Sequence, residues 1–445
     1  MKKVTFRGGV HPKDQKQFSR DVPFSVYVPK GEMVFPLSQH IGAPAVPTVK
    51  KGDKVLAGQI IAEAAGFVSA NVISSCSGTV KSIEKRTIVT GVKSQSIVIE
   101  NDGEFREIEG IGTEVDTDEL TSEEILKKIK DAGIVGLGGA GFPVHVKLAP
   151  KNPEMIEYVI ANGAECEPYI TCDDRLMREC GEKIVHGMEV LLRLFPNAEG
   201  VILIEKNKPE AIAAMKQACK GNAKINVLEV ETKYPQGGER SCISVVTGKY
   251  LKLGMLPADL GCVVDNVATI YAIDQAVSRS IPLMKRGFTV SGTAVKNPSN
   301  FIVPVGTSFR ELFEAAGGIK EGVEVKKVIC GGPMMGFSMA NLDVPMTKQN
   351  NALTVLGEDD VEKGQLEMTE CLRCGRCSDA CSLGLVPQMM AVAANRKDYE
   401  RYEKKLHGLE CVGCGSCTYV CPAKRSLMQL FKQTKAEIMA AKKRG

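Results

Sequence analysis

Long hydrophobic runs are absent from the 445 residues. No stretch approaches the ~18 uncharged apolar residues that a membrane-crossing helix needs. The start, Met1-Lys2-Lys3-Val4-Thr5-Phe6-Arg7, is basic but has no apolar segment behind it, so no secretory leader is expected. A strong charge of either sign is also missing: the formal net charge of +4 is too small to argue for nucleic acid. Histidine is scarce. The five present, His11, His40, His145, His186 and His407, are not paired at helical spacing, which argues against a histidine-rich zinc or copper site. What remains is the balance of a soluble globular protein, 44% hydrophobic and 25% charged. The length suggests about three domains.

Cysteine, in contrast, is plentiful. Eight of the 16 cysteines fall between Cys371 and Cys421, in two regular runs. Without an export signal, metal or cluster binding is favoured over disulfides. "CLRCGRCSDAC" supplies Cys371, Cys374, Cys377 and Cys381. "CVGCGSCTYVCP" supplies Cys411, Cys414, Cys417 and Cys421, followed by Pro422. Both runs have the C-x2-C-x2-C-x3-C spacing of bacterial 4Fe–4S ferredoxins. Two residues between thiolates let one segment wrap a cluster corner by corner, and Gly375, Gly413 and Gly415 relieve crowding. In two-cluster ferredoxins the fourth cysteine of each run serves the other cluster. One cluster is therefore expected on Cys371, Cys374, Cys377 and Cys421, and the other on Cys411, Cys414, Cys417 and Cys381. Such crossing keeps the clusters close, which suits electron relay. The remaining cysteines (76, 166, 172, 180, 219, 242, 262 and 330) read as buried free thiols, with Cys166 the one to watch.

Residues 30–100 alternate like short strands with glycine turns, in the manner of a biotinyl/lipoyl-type barrel-sandwich hybrid. The hairpin tip near Ala65-Gly66-Phe67 has no lysine, so no covalent biotin or lipoyl is expected. From about 120 to 280, strands alternate with helices, which indicates a mostly parallel α/β sheet. The helix "TSEEILKKIKDAG" begins at a Thr121 or Ser122 cap. "FTVSGTAVKNPSNFIVPVGTSFRELFEAAGG" then reads as a strand–turn–strand–helix unit of β-grasp type. "CGGPMMG", Cys330 to Gly336, reads as a glycine-turn packing motif, and the final "KAEIMAAKKRG" as a basic, solvated helix end.

"GLGGAGFPVHVK", Gly136 to Lys147, matches G-x-G-x-x-G on paper. A dinucleotide fingerprint follows a strand, however, and here a helix precedes the glycines. Bare backbone amides can still approach a phosphate, and Lys147 could add a point charge. A tight helix–helix turn is the equal alternative.

These segments together carry a resemblance. "GLGGAGFPVHVK" is similar to the "GRGGAGFP…K" loop of the flavin-binding subunit of respiratory complex I. "NGAECEP" (Asn162 to Pro168), "YPQGGER" (Tyr234 to Arg240) and "DNVAT" (Asp265 to Thr269) resemble that family's "NADESEP", Y-x-x-G-E-E and "NNVET" segments, in the same order. With "HP" near the start, "PLSQHIGAPA", "GGPMMG" and the double cluster motif, the whole layout resembles the RnfC family, the NADH-facing peripheral components of membrane ferredoxin:NAD oxidoreductases of Rnf type. The departures are Leu137 for arginine, Ala164 for aspartate and Gly238 for the first glutamate of the pair.

The resemblance implies an α/β multidomain chain. It comprises a non-carrier barrel-sandwich module (1–110), an FMN/NADH-binding, mostly parallel α/β domain (118–285), a β-grasp soluble-ligand-binding module (286–350) and an α-helical two-cluster ferredoxin-like domain (360–445). It also implies FMN, NAD(H) and two 4Fe–4S clusters as cofactors. Gly136, Gly138, Gly139 and Gly141 would lie against FMN and Lys147 would pair with its phosphate. Asn162, Glu165 and Glu167 would line the flavin and nucleotide side, and Tyr234, Gly237 and Glu239 the opposite wall. Asp265, Asn266 and Thr269 would meet the phosphate or ribityl chain, and Phe142 would stack on NADH. Read alone, the three glutamates have a second reading as solvated loop charges, and Tyr234 one as a core residue. Because NADH gives two electrons as a hydride and clusters pass one at a time, a flavin belongs between them. The expected partners are NADH, the other subunits of a membrane complex and, indirectly, ferredoxin. The expected place is peripheral, on the cytoplasmic face of the membrane. A soluble relative feeding another reductase and a flavin-free cluster scaffold are the competing readings.

Overall fold

The computed structural model describes residues 4–252, 254–359, 363–364 and 366–442; the first three residues of the basic start, the last three of the basic tail and residue 360, where the last domain is expected to begin, lie outside them. At the centre is a four-stranded sheet, parallel throughout. Its order is Ile225–Val230, Glu199–Glu205, Tyr158–Gly163, Cys262–Asn266. Helices cover it, so its strands are apolar on both faces: Val159, Ile160, Ala161, Ile202, Leu203 and Ile204 are all fully buried. The chain starts this sheet at Tyr158–Gly163, winds outward twice, then returns to the other side with Cys262–Asn266. The strand order therefore reverses between those two strands. Asn162 and Asn266 are paired in register there, at the carboxyl ends. Open α/β sheets bind ligands at such a switch point.

The helix Ser122–Asp131 starts at a capping box: the Thr121 hydroxyl accepts from Glu124 N, and the Glu124 carboxylate accepts from Thr121 N. It leads into the glycine loop. After the first strand the chain forms two helices, Cys172–Glu179 and Gly181–Leu194, which break at Cys180.

The N-terminal module has two small sheets, Met33–Pro36/Lys93–Asn101/Gly78–Thr87/Lys54–Val55 and Val46–Pro47/Ile60–Glu63/Val72–Ile73. They enclose Phe35, Ile61, Val72, Ile97 and Ile99. A fourth, six-stranded mixed sheet contains the strand–turn–strand unit Lys285–Ser291/Ser299–Pro304. It also recruits Phe24–Val26 from the N-terminal segment and Ala352–Leu356 beyond residue 350. Those two strands lie outside the 286–350 span read from sequence.

The C-terminal domain repeats one motif. Each cysteine run contains a one-turn helix (Arg376–Asp379, Ser416–Tyr419) and is followed by a longer helix (Pro387–Asn395, Leu427–Lys442). The one-turn helices start at Gly375 and Gly415, with φ of 79° and 81°. A left-handed backbone at both places is the reason for glycine. Met390, Tyr402, Leu427 and Phe431 form the shared core.

Candidate functional site

The glycine loop closes on itself. Val135 and Pro143 form an antiparallel bridge, and Gly136 N donates to Phe142 O at 2.9 Å. No strand precedes the loop, and only the single turn Val144–Lys147 follows it. It is thus not a dinucleotide fingerprint. Its tip lies over the switch point. Leu137 N donates to Thr269 Oγ1 at 2.9 Å, and a Cβ on Gly138 would come within 2.8 Å of Asn266 Cβ. Gly138 and Gly139 are exposed, and a Cβ on Gly139 would meet nothing within 4 Å. The loop is held from behind. Arg286 donates to Leu137 O (3.2 Å), Gln349 to Ala140 O (3.3 Å) and Ile41 N to Gly141 O (3.2 Å). Phe142 is half-buried at the loop's end.

Beneath the tip lies a charged cluster. Lys147 Nζ donates to Val264 O (2.6 Å) and to Asp265 Oδ1 (3.1 Å). Burial opposes the Lys147 charge, but Asp265 and Glu239 outweigh it and hold its pKa up. Burial raises Asp265 and Glu239 against the pull of Lys147. The lysine is therefore the cation of the group. Asp265 Oδ2 is buried without a hydrogen-bond partner, so the cluster has an unfilled polar position. Glu239 opens the helix Glu239–Thr247. Asn162 Nδ2 donates to Gly237 O (2.8 Å), tying the second segment to the third, and Asn266 Nδ2 donates to Asp173 Oδ2 (2.7 Å). Gly138, Gly139, Lys147, Asn162, Gly237, Glu239, Asp265, Asn266 and Thr269 thus converge on one place, although the chain separates them widely.

Three residues expected to line the flavin site, Glu165 and Glu167 on one side and Tyr234 on the opposite wall, have their hydrogen-bond partners elsewhere. Glu165 lies underneath: its side chain is 3% exposed, Oε1 accepts from Asp173 N (2.6 Å) and Oε2 is 3.5 Å from Lys16 Nζ. Burial pushes its carboxyl up to about 8 despite that lysine. Glu167 accepts from Met334 N (3.0 Å) and Met335 N (2.8 Å), so it anchors the "CGGPMMG" loop, and burial pushes it up to about 7. Tyr234 is buried and its hydroxyl donates to Cys414 O at 2.8 Å. Neither glutamate is a solvated loop charge, and Tyr234 is a core residue that reaches the cysteine domain. Arg286, Gln349 and Lys16 carry no signal in the sequence. Their partners Leu137, Ala140 and Glu165 lie 149 to 209 positions away, and no local pattern marks them.

The structure brings four of the cysteines of the two runs together. Cys381, Cys411, Cys414 and Cys417 line one cavity, together with Gly413, Gly415, Met390 and Phe431. Cys377 feels Cys421, whereas Cys381 feels Cys414. Cys371 and Cys374 are exposed. Of the other eight, Cys166 and Cys180 are half-buried and six are buried, all free thiols. Cys166 Sγ accepts from Gly237 N at 3.3 Å.

The flavin-side and cysteine domains meet at several points. Besides Tyr234–Cys414, Arg240 pairs with Glu410 at 3.0 Å, and a Cβ on Gly415 would lie 3.1 Å from Met334 O. These fall on the second run or, for Glu410, on the residue just before it.

The donor sets fit the groups expected. Exposed glycine amides and the Lys147 ammonium suit a flavin's phosphate, the unpartnered Asp265 oxygen suits a hydroxyl donor of its ribityl chain, and four thiols around one cavity suit a cluster.

Comparison with known proteins agrees. Four family models match in order: a "RnfC Barrel sandwich hybrid domain" (4–104), a "Nuo51 FMN-binding domain" (129–275), an SLBB domain (288–338) and a 4Fe-4S dicluster domain (367–436). The chain is 45% identical to component C of the proton-translocating ferredoxin:NAD(+) oxidoreductase complex of Clostridium ljungdahlii, over 99% of this chain and 95% of that one. It is 39% identical to the Na(+)-translocating counterpart of Acetobacterium woodii, over 100% and 99%. It is 38% identical to component C of the ion-translocating oxidoreductase complex of Pectobacterium atrosepticum, over 98% of this chain and 62% of that one. A crystal structure of an NAD+-reducing [NiFe]-hydrogenase shares the fold, with a TM-score of 0.50 and 21% identity over 73% of this chain and 63% of that one. The chain belongs to the RnfC family, component C of ion-translocating ferredoxin:NAD(+) oxidoreductase complexes, and is an electron-transfer subunit with FMN and 4Fe–4S clusters as its cofactors.

Proposed function

We propose that this chain is the NADH-facing subunit of its complex. It exchanges a hydride with NAD(H) at FMN and relays single electrons through two 4Fe–4S clusters to its neighbours and, through them, to ferredoxin. FMN, when bound, supplies the conversion between a two-electron hydride and single electrons. The chain's own residues bind and orient. Gly136, Gly138, Gly139 and Gly141 present backbone amides to the phosphate and ring side. Lys147 holds the phosphate charge. Asn162, Gly237 and Glu239 form the walls, and Asp265, Asn266 and Thr269 the floor. Phe142 faces the nicotinamide nucleotide.

Cys381, Cys411, Cys414 and Cys417 hold the cluster that receives electrons first, because Tyr234 joins the flavin wall to that run. Cys371, Cys374, Cys377 and Cys421 hold the second cluster. Exposed Cys371 and Cys374 make it the exit. No helix among the described residues is long and apolar enough to cross a membrane, which supports a peripheral position; the cytoplasmic face follows from NADH as donor.

The convergence of the glycine loop and the Lys147–Asp265 pair on the switch point carries this reading. Flavin and iron are to be quantified on anaerobically purified chain and followed by NADH titration. Bleaching of flavin and cluster bands is expected. Loss of the flavin band without any response of the chain's clusters contradicts the relay.

A further inference from the structure

The N-terminal arm is not accounted for by the site above. Residues Val4 to His11 run alongside 231–234: Glu231 N donates to Val4 O (3.1 Å), and Val10 and Tyr234 exchange two backbone hydrogen bonds of 2.8 Å each. Lys233 Nζ donates to Phe6 O and sits over the Phe6 ring. On its other side the arm touches the cysteine domain, where Gly9 N donates to Ala380 O at 2.9 Å, next to Cys381.

The fit is too tight for any side chain. A Cβ on Gly8 would lie 2.7 Å from Cys381 O, and one on Gly9 2.7 Å from Tyr234 O. Both glycines have positive φ, 76° and 79°, which glycine adopts without penalty. Two independent reasons, space and backbone, thus require "GG" at this one place.

The contacts all converge on one ligand set. The arm abuts Cys381, Tyr234 bonds Cys414, and Met334, held by Glu167, covers Gly415. Val10, Tyr234, Ala380, Cys166, Met334, Cys414 and Val420 form a single apolar cluster around these bonds. Exposed Cys371 and Cys374 receive no such support. We propose that Gly8–Gly9–Val10 and Tyr234 form a clasp that fixes the cluster of Cys381, Cys411, Cys414 and Cys417 against the flavin wall. The clasp rests on the reading that this cluster receives electrons from FMN. Electron transfer falls off exponentially with distance, and partners behind the ligands hold them in place. The Tyr234 hydroxyl donates to the backbone carbonyl of Cys414 and offsets part of that oxygen's negative charge beside the ligand. That favours the more negative, reduced cluster and raises its potential.

The test uses the full chain, purified anaerobically, with flavin quantification and EPR-monitored redox titration. Spectra of Cys374→Ser and Cys417→Ser identify the two cluster signals. Gly8→Ala is expected to keep FMN and the signal of the exposed run, and to lose or broaden that of the second run. Tyr234→Phe is expected to keep both clusters and FMN. It should shift only the second-run cluster to lower potential and slow its reduction by NADH up to about tenfold, the worth of one hydrogen bond. An unchanged second-run potential in Tyr234→Phe overturns the clasp, whether or not Gly8→Ala folds. So does an unchanged second-run spectrum in Gly8→Ala. Wild-type chain without flavin would instead overturn the proposed function beneath it.

Discussion

Replacing Lys147 by methionine separates two roles that the structure gives one ammonium group. Lys147 Nζ is the sole hydrogen-bond donor to Asp265 Oδ1 among the described residues, and Asp265 Oδ2 already lacks a partner. The Asp265 side chain is 1% exposed, that of Lys147 25%. Removing one member of a buried pair costs roughly 3–5 kcal/mol; the partial exposure of Lys147 puts the expected loss at the low end, about 3 kcal/mol. Losing a charged hydrogen bond to a bound phosphate costs about 1.5–3 kcal/mol, or roughly 10- to 150-fold in Kd. Asp265→Asn in the same chain removes the stranded charge. The double variant Lys147→Met/Asp265→Asn should therefore recover most of the stability but none of the flavin affinity. Thermal unfolding of apo-chain and fluorescence titration of apo-chain with FMN measure the two effects separately. If Lys147→Met binds FMN within about threefold of wild type, the lysine does not hold the phosphate.

Gly139→Ala should fold with wild-type stability, because its Cβ meets nothing within 4 Å, yet weaken FMN by about tenfold or more by filling the cradle; equilibrium titration with FMN, alongside thermal unfolding, checks both. Cys381→Ser and Cys414→Ser should alter the same EPR signal, and Cys421→Ser and Cys377→Ser the other; a signal shared by Cys381 and Cys377 would exclude crossed ligation. Lys348 is buried and, among the described residues, has no carboxylate partner in hydrogen-bond range; its amine donates to Asn71 O (2.6 Å) and Gly133 O (2.7 Å), and burial pulls its pKa from 10.5 to about 7. That change is on the order of 5 kcal/mol. The unfolded chain protonates first, so the cost is full below pH 7 and fades as pH rises toward 10.5. Wild type should accordingly gain stability relative to Lys348→Met between pH 7 and 10, read as the difference in thermal midpoint.

Features that depend on local spacing were legible in the sequence. The two cysteine runs, the strand–helix alternation of the central sheet and the Thr121 cap all follow from residues within one turn or one strand of each other. The glycine loop was legible as a loop, and the helix preceding it argued against a dinucleotide fingerprint. What escaped depends on burial and on distant partners. Glu167 and Tyr234 carry the right chemistry for a flavin wall, but their partners are Met334, Met335 and Cys414. A carboxylate facing a ligand and one facing a pair of backbone amides look the same in a string of letters. Phe24–Val26 joins a sheet whose other strands begin at residue 285, and three residues carry too little periodicity to announce it. "HP" near the start and "GGPMMG" stand out as motifs, yet their use becomes visible only where Gly8 meets Cys381 at the end of the first cysteine run and Tyr234 and Met334 meet the second.

The most direct measurement is a spectrum. Full-length chain purified without oxygen should show a flavin band alongside cluster absorption, and NADH should bleach the flavin and then reduce the cluster held by Cys381, Cys411, Cys414 and Cys417. Chain that carries both clusters but neither contains nor takes up FMN, or whose clusters stay oxidised while NADH bleaches its flavin, contradicts the account.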